Sequence, residues 1–127
     1  MTPAEWLAQS RFIRWAFLDN TWVLAHAFLG VLLANGLYLV GHWSWLTGIL
    51  PCVECLQIRW IVVLLTLAGA LAWDYLIEPL LERRIHGPGW RVKIYGSRLH
   101  WFLDSVGDVL AAVGFAAMSV YSLPSLF

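Results

Sequence analysis

Three long apolar runs, at 22–43, 55–77 and 99–123, place the strongest constraint on how this chain folds. About 20 residues at about 1.5 Å per residue allow an α-helix to cross the hydrocarbon core of a bilayer. Backbone groups in lipid must be hydrogen-bonded within their own segment, which favours helices. Charged residues make up only 13% of the chain, about half the share in a soluble domain. The sequence therefore predicts an all-α integral membrane protein with three transmembrane helices in a lipid bilayer.

The segment before the first run, 3–18, is predicted to be a short amphipathic helix lying in the membrane interface. Thr2 and Glu5 have the spacing of a capping box at its start. Arg11 and Arg14 alternate with aromatic and aliphatic residues, which suits an interfacial helix better than a spanning one. We expect no cleavable signal peptide, and we treat the whole chain, 1–127, as a single membrane domain.

The positions of the cations predict the orientation of the chain in the membrane. Every Lys and Arg except Arg59 lies before the first run or in the polar loop 81–98. The positive-inside rule therefore places the N-terminus and this loop in the cytoplasm. The turn with Cys52 and Cys55, and the C-terminus, are then expected on the periplasmic side of a bacterial inner membrane. The formal net charge is zero, so nothing in the charge indicates a nucleic-acid partner.

Cys52 and Cys55 are the only cysteines, and they stand at the start of the second run, four residues before Arg59. Disulfide exchange needs one thiolate to attack and a second thiol to resolve the mixed disulfide. A helix start and a nearby guanidinium both stabilise a thiolate. A cation inside a membrane span is also a functional-site hypothesis by default. We predict that Cys52 and Cys55 form a catalytic redox pair next to Arg59.

Other interpretations of the Cys pair are weaker. A structural zinc site needs four ligands, and His42 is the nearest further candidate, so we expect no metal site. A c-type haem would need His directly after the second cysteine, where Leu56 stands. A structural disulfide across so short a loop would stabilise little. For Arg59, snorkelling or pairing with Glu54 is the alternative to a role in catalysis.

Pro51-Cys52-Val53-Glu54-Cys55, with Arg59 four residues later, resembles the motif of the DsbB family of quinone-linked disulfide bond formation proteins. The resemblance covers about 22–80. It implies a four-helix membrane bundle that passes electrons from a periplasmic thioredoxin-like dithiol oxidase to ubiquinone or menaquinone. By the same resemblance, Cys52 faces the partner, Cys55 is the quinone-proximal thiol, and Arg59 binds the quinone.

The chain departs from this family pattern in three respects, one of which is Glu54, where the family commonly has an apolar residue. It has three apolar runs where the family has four spans, and it lacks the second cysteine pair of the family. It therefore resembles a truncated DsbB bundle. The first functional hypothesis is a DsbB-like thiol–disulfide oxidoreductase. The alternative is a non-catalytic accessory or scaffold subunit of a larger respiratory or photosynthetic membrane complex, with another membrane subunit as its partner.

Several further polar residues lie near the inner ends of the runs. Asp74 and Asp108 each belong to an i, i+4 pair of carboxylates. We expect these carboxylates to form interfacial ion pairs with nearby arginines rather than a proton or ion path. Haem or chlorophyll ligation by His26 or His100 is disfavoured, because a histidine in a membrane helix is more often a packed, hydrogen-bonded side chain.

Overall fold

The described part of the chain consists mainly of helices, as the apolar runs predict. A computed structural model describes residues 2–5, 10–48 and 58–122, and these residues are helical or lie in turns. Three helices are long and apolar enough to cross a membrane: Val23–Ser44, Ile58–His86 and Arg98–Ser122. The all-α prediction is therefore confirmed for the described residues, and the three long apolar helices agree with the three predicted spans. The predicted Cys52–Cys55 turn lies outside the described residues.

The helices are numbered in chain order. They are α1 (Arg11–Ile13), a π-helical turn (Arg14–Leu18), α2 (Val23–Leu46), α3 (Ile58–Ala72), a π-helical segment (Trp73–Ile77), α4 (Glu78–His86), α5 (Trp90–Tyr95) and α6 (Arg98–Ser122).

The N-terminal segment starts with the predicted capping box but is not one continuous helix. The Thr2 N–H donates to Glu5 Oε2 at 3.0 Å, and the Glu5 N–H donates to Thr2 Oγ1 at 3.2 Å. Ser10 is extended, with φ −73° and ψ 122°, and its side chain accepts from the Ile13 N–H. A serine in this conformation caps a new helix. The predicted helix 3–18 is therefore divided at Ser10.

The second membrane helix extends well beyond its predicted end at residue 77. The π-helical segment Trp73–Ile77 leads directly into α4, with Pro79 in the first turn of α4. Proline lacks an N–H and removes one i→i−4 hydrogen bond from a helix interior, and membrane helices tolerate this where a local π-helical adjustment accommodates it. The region 81–98, predicted as a loop, accordingly contains the end of α4, the whole of α5 and the start of α6.

Helices α2 and α6 approach each other closely through glycine. A Cβ added to Gly30 of α2 would overlap the backbone of Ala112 on α6, and one added to Gly107 of α6 would overlap the backbone of Ala16 in the π-helical turn. Small residues that permit such backbone contact drive helix association in lipid, where the hydrophobic effect does not. The small residues of the first and third apolar runs thus fix how these two helices pack.

We expect Gly30→Ala to weaken the bundle, because the new methyl group has to push α6 away. Overpacking of this kind costs about 1–3 kcal/mol. Gly36→Ala is the matched control, since a Cβ at Gly36 meets nothing within 4 Å. The free energy of unfolding of both variants, measured in the same detergent micelle, tests the packing. Equal stability of the two variants would contradict it.

Candidate functional site

Arg59 lies where the three membrane helices meet. It is in the first turn of α3, and its Nη2 donates to the hydroxyl of Tyr38 on α2 at 3.1 Å. Its Nε donates to the carbonyl oxygen of Val120 on α6 at 3.3 Å. The guanidinium carbon also lies 5.4 Å from the centre of the Tyr38 ring, within range of a cation–π contact. These contacts hold the guanidinium at the junction of the helices.

The surroundings of Arg59 are apolar and well packed. Tyr38 and Val120 are fully buried, and they belong to one core cluster with Ala34, Val62 and Ala116. A charged hydrogen bond in such surroundings is stronger than one in water. The predicted thiols Cys52 and Cys55 lie outside the described residues, so their position next to Arg59 stays a prediction from the spacing.

A second polar cluster lies toward the other end of the bundle. Asp74 of this cluster follows Arg59 by fifteen residues on the same membrane helix. At a rise of 1.5 Å per residue, about 22 Å of helix separates the two side chains. His26 of α2 lies between two carboxylates. Its Nε2 is 3.5 Å from Asp74 Oδ1, in the π-helical segment, and its Nδ1 is 3.5 Å from Asp108 Oδ1, on α6. Each of the three membrane helices therefore contributes one side chain.

Asn20 and the backbone hold this cluster in place. Asn20 Nδ2 donates to Asp108 Oδ1 at 2.7 Å and also lies 3.1 Å from the carbonyl oxygens of Ala16 and Asp104. The Trp22 carbonyl oxygen lies 2.8 Å from His26 Nδ1. A carbonyl oxygen can only accept, so His26 carries a proton on Nδ1 and directs Nε2 at Asp74.

The expected pairing of these carboxylates with arginines is wrong for Asp74 and Asp108, which contact His26 instead. Arg83 and Arg84 are exposed, whereas Asp74 and Asp108 are 2% and 5% exposed. The carboxylates lie on the inner faces of their helices, and the long arginine side chains remain at the surface. Arg91 packs on two tryptophan rings, with its guanidinium carbon 4.5 Å from the ring centre of Trp90 and 4.2 Å from that of Trp101.

The two histidines considered as cofactor ligands have different surroundings. His26 lies in the carboxylate cluster, whereas His100 stacks on the Trp15 ring, with 4.6 Å between ring centres and 16° between the planes. Tyr95 lies near His100, with ring centres 6.1 Å apart. Burial raises the pKa of Tyr95, which therefore stays neutral and packs as an aromatic residue.

A crevice of about 280 Å³ adjoins the second cluster. His26 and Asp74 line it together with apolar residues of α2 and α3, among them Leu33 and Ala70.

Asn20 and Tyr38 are site residues that were not predicted from the sequence. The sequence shows Asn20 as a polar residue beside a helix start. Its contacts with Asp104 and Asp108 could not be predicted, because they connect residues more than 80 positions apart.

Comparison with known proteins gives no relative for this arrangement. No family model, curated protein or solved structure matches the chain. Any functional assignment consequently depends on the Cys-x-x-Cys–Arg motif and on the geometry described above.

Proposed function

We propose that this chain is a DsbB-like membrane thiol–disulfide oxidoreductase. In the proposed reaction, an outer dithiol protein reduces the Cys52–Cys55 disulfide and leaves as a disulfide, and the reduced pair then reduces a membrane quinone. Two electrons and two protons pass from the dithiol to the quinone, which becomes a quinol. By resemblance, the dithiol protein is a periplasmic thioredoxin-like oxidase and the quinone is ubiquinone or menaquinone.

The observation that supports this proposal best is the placement of Arg59. Its guanidinium is held by Tyr38 and Val120 at the junction of three helices. In sequence it follows Cys55 by four residues, which extended chain spans in at most about 14 Å. A fixed cation can stabilise a thiolate leaving group that lies within about 4–6 Å of it, a separation that four residues of chain permit. It can also stabilise the negative charge that develops on a quinone oxygen during reduction.

Arg59→Gln is expected to impair the quinone step selectively. A hydrogen bond to a charged group contributes about 1.5–3 kcal/mol, so kcat/KM for the quinone should fall by about tenfold to hundredfold. The rate at which the protein accepts electrons from the dithiol in a single turnover should change much less. Quinone reduction is followed by its ultraviolet absorbance, with the purified chain in micelles, a short-chain quinone and a reduced thioredoxin-like protein.

Tyr38→Phe serves as the matched variant, because it removes the hydroxyl that positions Arg59 and keeps the aromatic ring. We expect a smaller loss in kcat/KM for the quinone than with Arg59→Gln. Equal losses in the dithiol and quinone steps would argue against a quinone-side role for Arg59. No quinol formation by the wild-type chain would favour the accessory-subunit hypothesis.

A further inference from the structure

The region around His26 contains more carboxyl groups than cationic side chains. Glu78 and Asp104 lie four residues from Asp74 and Asp108, respectively. Among the described residues, no ion pair joins any of these four carboxylates to a lysine or an arginine. His26, even when protonated, balances only one of them. A buried carboxyl group is paired with a cation, coordinates a metal ion or takes up a proton, and a cation bound among these groups would keep them ionised.

The distance between His26 Nε2 and Asp74 Oδ1 is long for a hydrogen bond and suitable for two ligands of one metal ion. A charge-assisted N–H···O bond is about 2.7–2.9 Å long, whereas His26 Nε2 lies 3.5 Å from Asp74 Oδ1. Two ligands of a tetrahedral zinc ion, each about 2.0–2.2 Å from the metal, lie about 3.3–3.6 Å apart. His26, Asp74 and Asp108 each present one ligand atom, and these atoms lie within 4.8 Å of one another.

Two further features are those expected of a metal site. Asp74 is 2% exposed, and no described residue donates a hydrogen bond to its Oδ2. This oxygen belongs to a side chain that lines the crevice shared with His26. In addition, His26 Nδ1 is held by a backbone carbonyl and Asp108 by the Asn20 amide. Ligands oriented by outer hydrogen bonds of this kind are typical of metal centres.

From these observations we infer that His26, Asp74 and Asp108 bind a divalent transition-metal ion, for which Zn²⁺ is the probe. One imidazole nitrogen and two carboxylate oxygens provide three protein ligands. A divalent ion cancels the charge of both carboxylates, which an imidazolium does not. The ion would connect all three membrane helices at the end of the bundle away from Arg59. This site is independent of the proposed thiol chemistry and differs from the sequence-based expectation of no metal.

The test uses the full-length Cys52→Ser/Cys55→Ser chain, so that thiols cannot bind the metal. The protein is purified without a histidine tag, stripped with a chelator and titrated with Zn²⁺ by calorimetry in micelles. We expect one Zn²⁺ per chain, and X-ray absorption should show only nitrogen and oxygen ligands at about 2.0–2.2 Å. Asp74→Asn should weaken binding by more than a hundredfold. Asn20→Ala, which removes an outer hydrogen bond, should weaken it by about tenfold to hundredfold.

His86→Asn is the control, because His86 is a partly exposed histidine 3.2 Å from Glu82 and outside the cluster. Binding by this variant should equal that of the parent chain. Absence of Zn²⁺ binding by the folded parent chain would overturn the inference, and so would binding that Asp74→Asn leaves unchanged. Since the assay contains neither thiols nor quinone, its result does not depend on whether the oxidoreductase proposal holds.

Discussion

Cys55→Ser is expected to abolish dithiol oxidation and to trap the partner protein on Cys52. A single thiol can attack the activated disulfide of a partner that has one cysteine and a small thiol as leaving group, and the protein–protein disulfide that forms then lacks a second thiol to resolve it. If Cys52 faces the partner, its thiol attacks and the adduct accumulates. Cys52→Ser should also abolish turnover, but it should leave little or no adduct, because Cys55 is assigned to the quinone side.

This pair of variants gives a clear result because the chain has only two cysteines. Each variant retains one thiol, so the adduct can form at one position only. Each is incubated with a thioredoxin-like protein that has one cysteine, activated as a mixed disulfide with a small thiol, and is then alkylated and separated on a non-reducing gel. A band of the summed mass that disappears on reduction is expected for Cys55→Ser. Equal adduct formation by both variants would contradict the assigned roles, and turnover by either variant at the wild-type rate would contradict the mechanism.

The sequence predicts the spans and the first capping box well, because both depend on local properties. Chain length and apolarity suffice to identify a membrane helix, and Thr2 and Glu5 are only three residues apart. The extent of the second helix was predicted less well, since the apolar run ends at residue 77 whereas the helix continues to His86. A proline is tolerated inside a membrane helix where local adjustments such as a π-helical segment accommodate the missing N–H.

The second cluster could not be predicted from the sequence. Whether Asp74 faces His26 or an arginine depends on the rotation of α3 and on how the helices are aligned along their axes. Gly30 and Gly107 determine part of that alignment through backbone contacts with residues distant in sequence. The i, i+4 spacing of the carboxylates indicates only that each pair shares a helix face. The Arg59 site was partly predicted, since its position was identified but its contact with Tyr38 was not.

His26→Leu is expected to destabilise the bundle strongly when metal is absent. The substitution removes the side chain between Asp74 and Asp108, which are almost fully buried. Breaking a buried charge pair by removing one partner costs about 3–5 kcal/mol, because the remaining charge is left without a counter-charge. The free energy of unfolding, measured in micelles with a chelator present, tests this expectation. His86→Leu, at a partly exposed pair, should change it by no more than about 1 kcal/mol.

The triple variant His26→Leu/Asp74→Asn/Asp108→Asn separates charge from packing. If unpaired carboxylates cause the loss of stability, then neutralising them should recover most of it, even though His26 is still absent. If the loss arises from the shape of the imidazole, the triple variant should be at least as unstable as His26→Leu alone. Residues in direct contact show such coupling, whereas independent sites give additive effects. Additive losses across the three positions would therefore mean that His26 does not balance the charge of the two carboxylates.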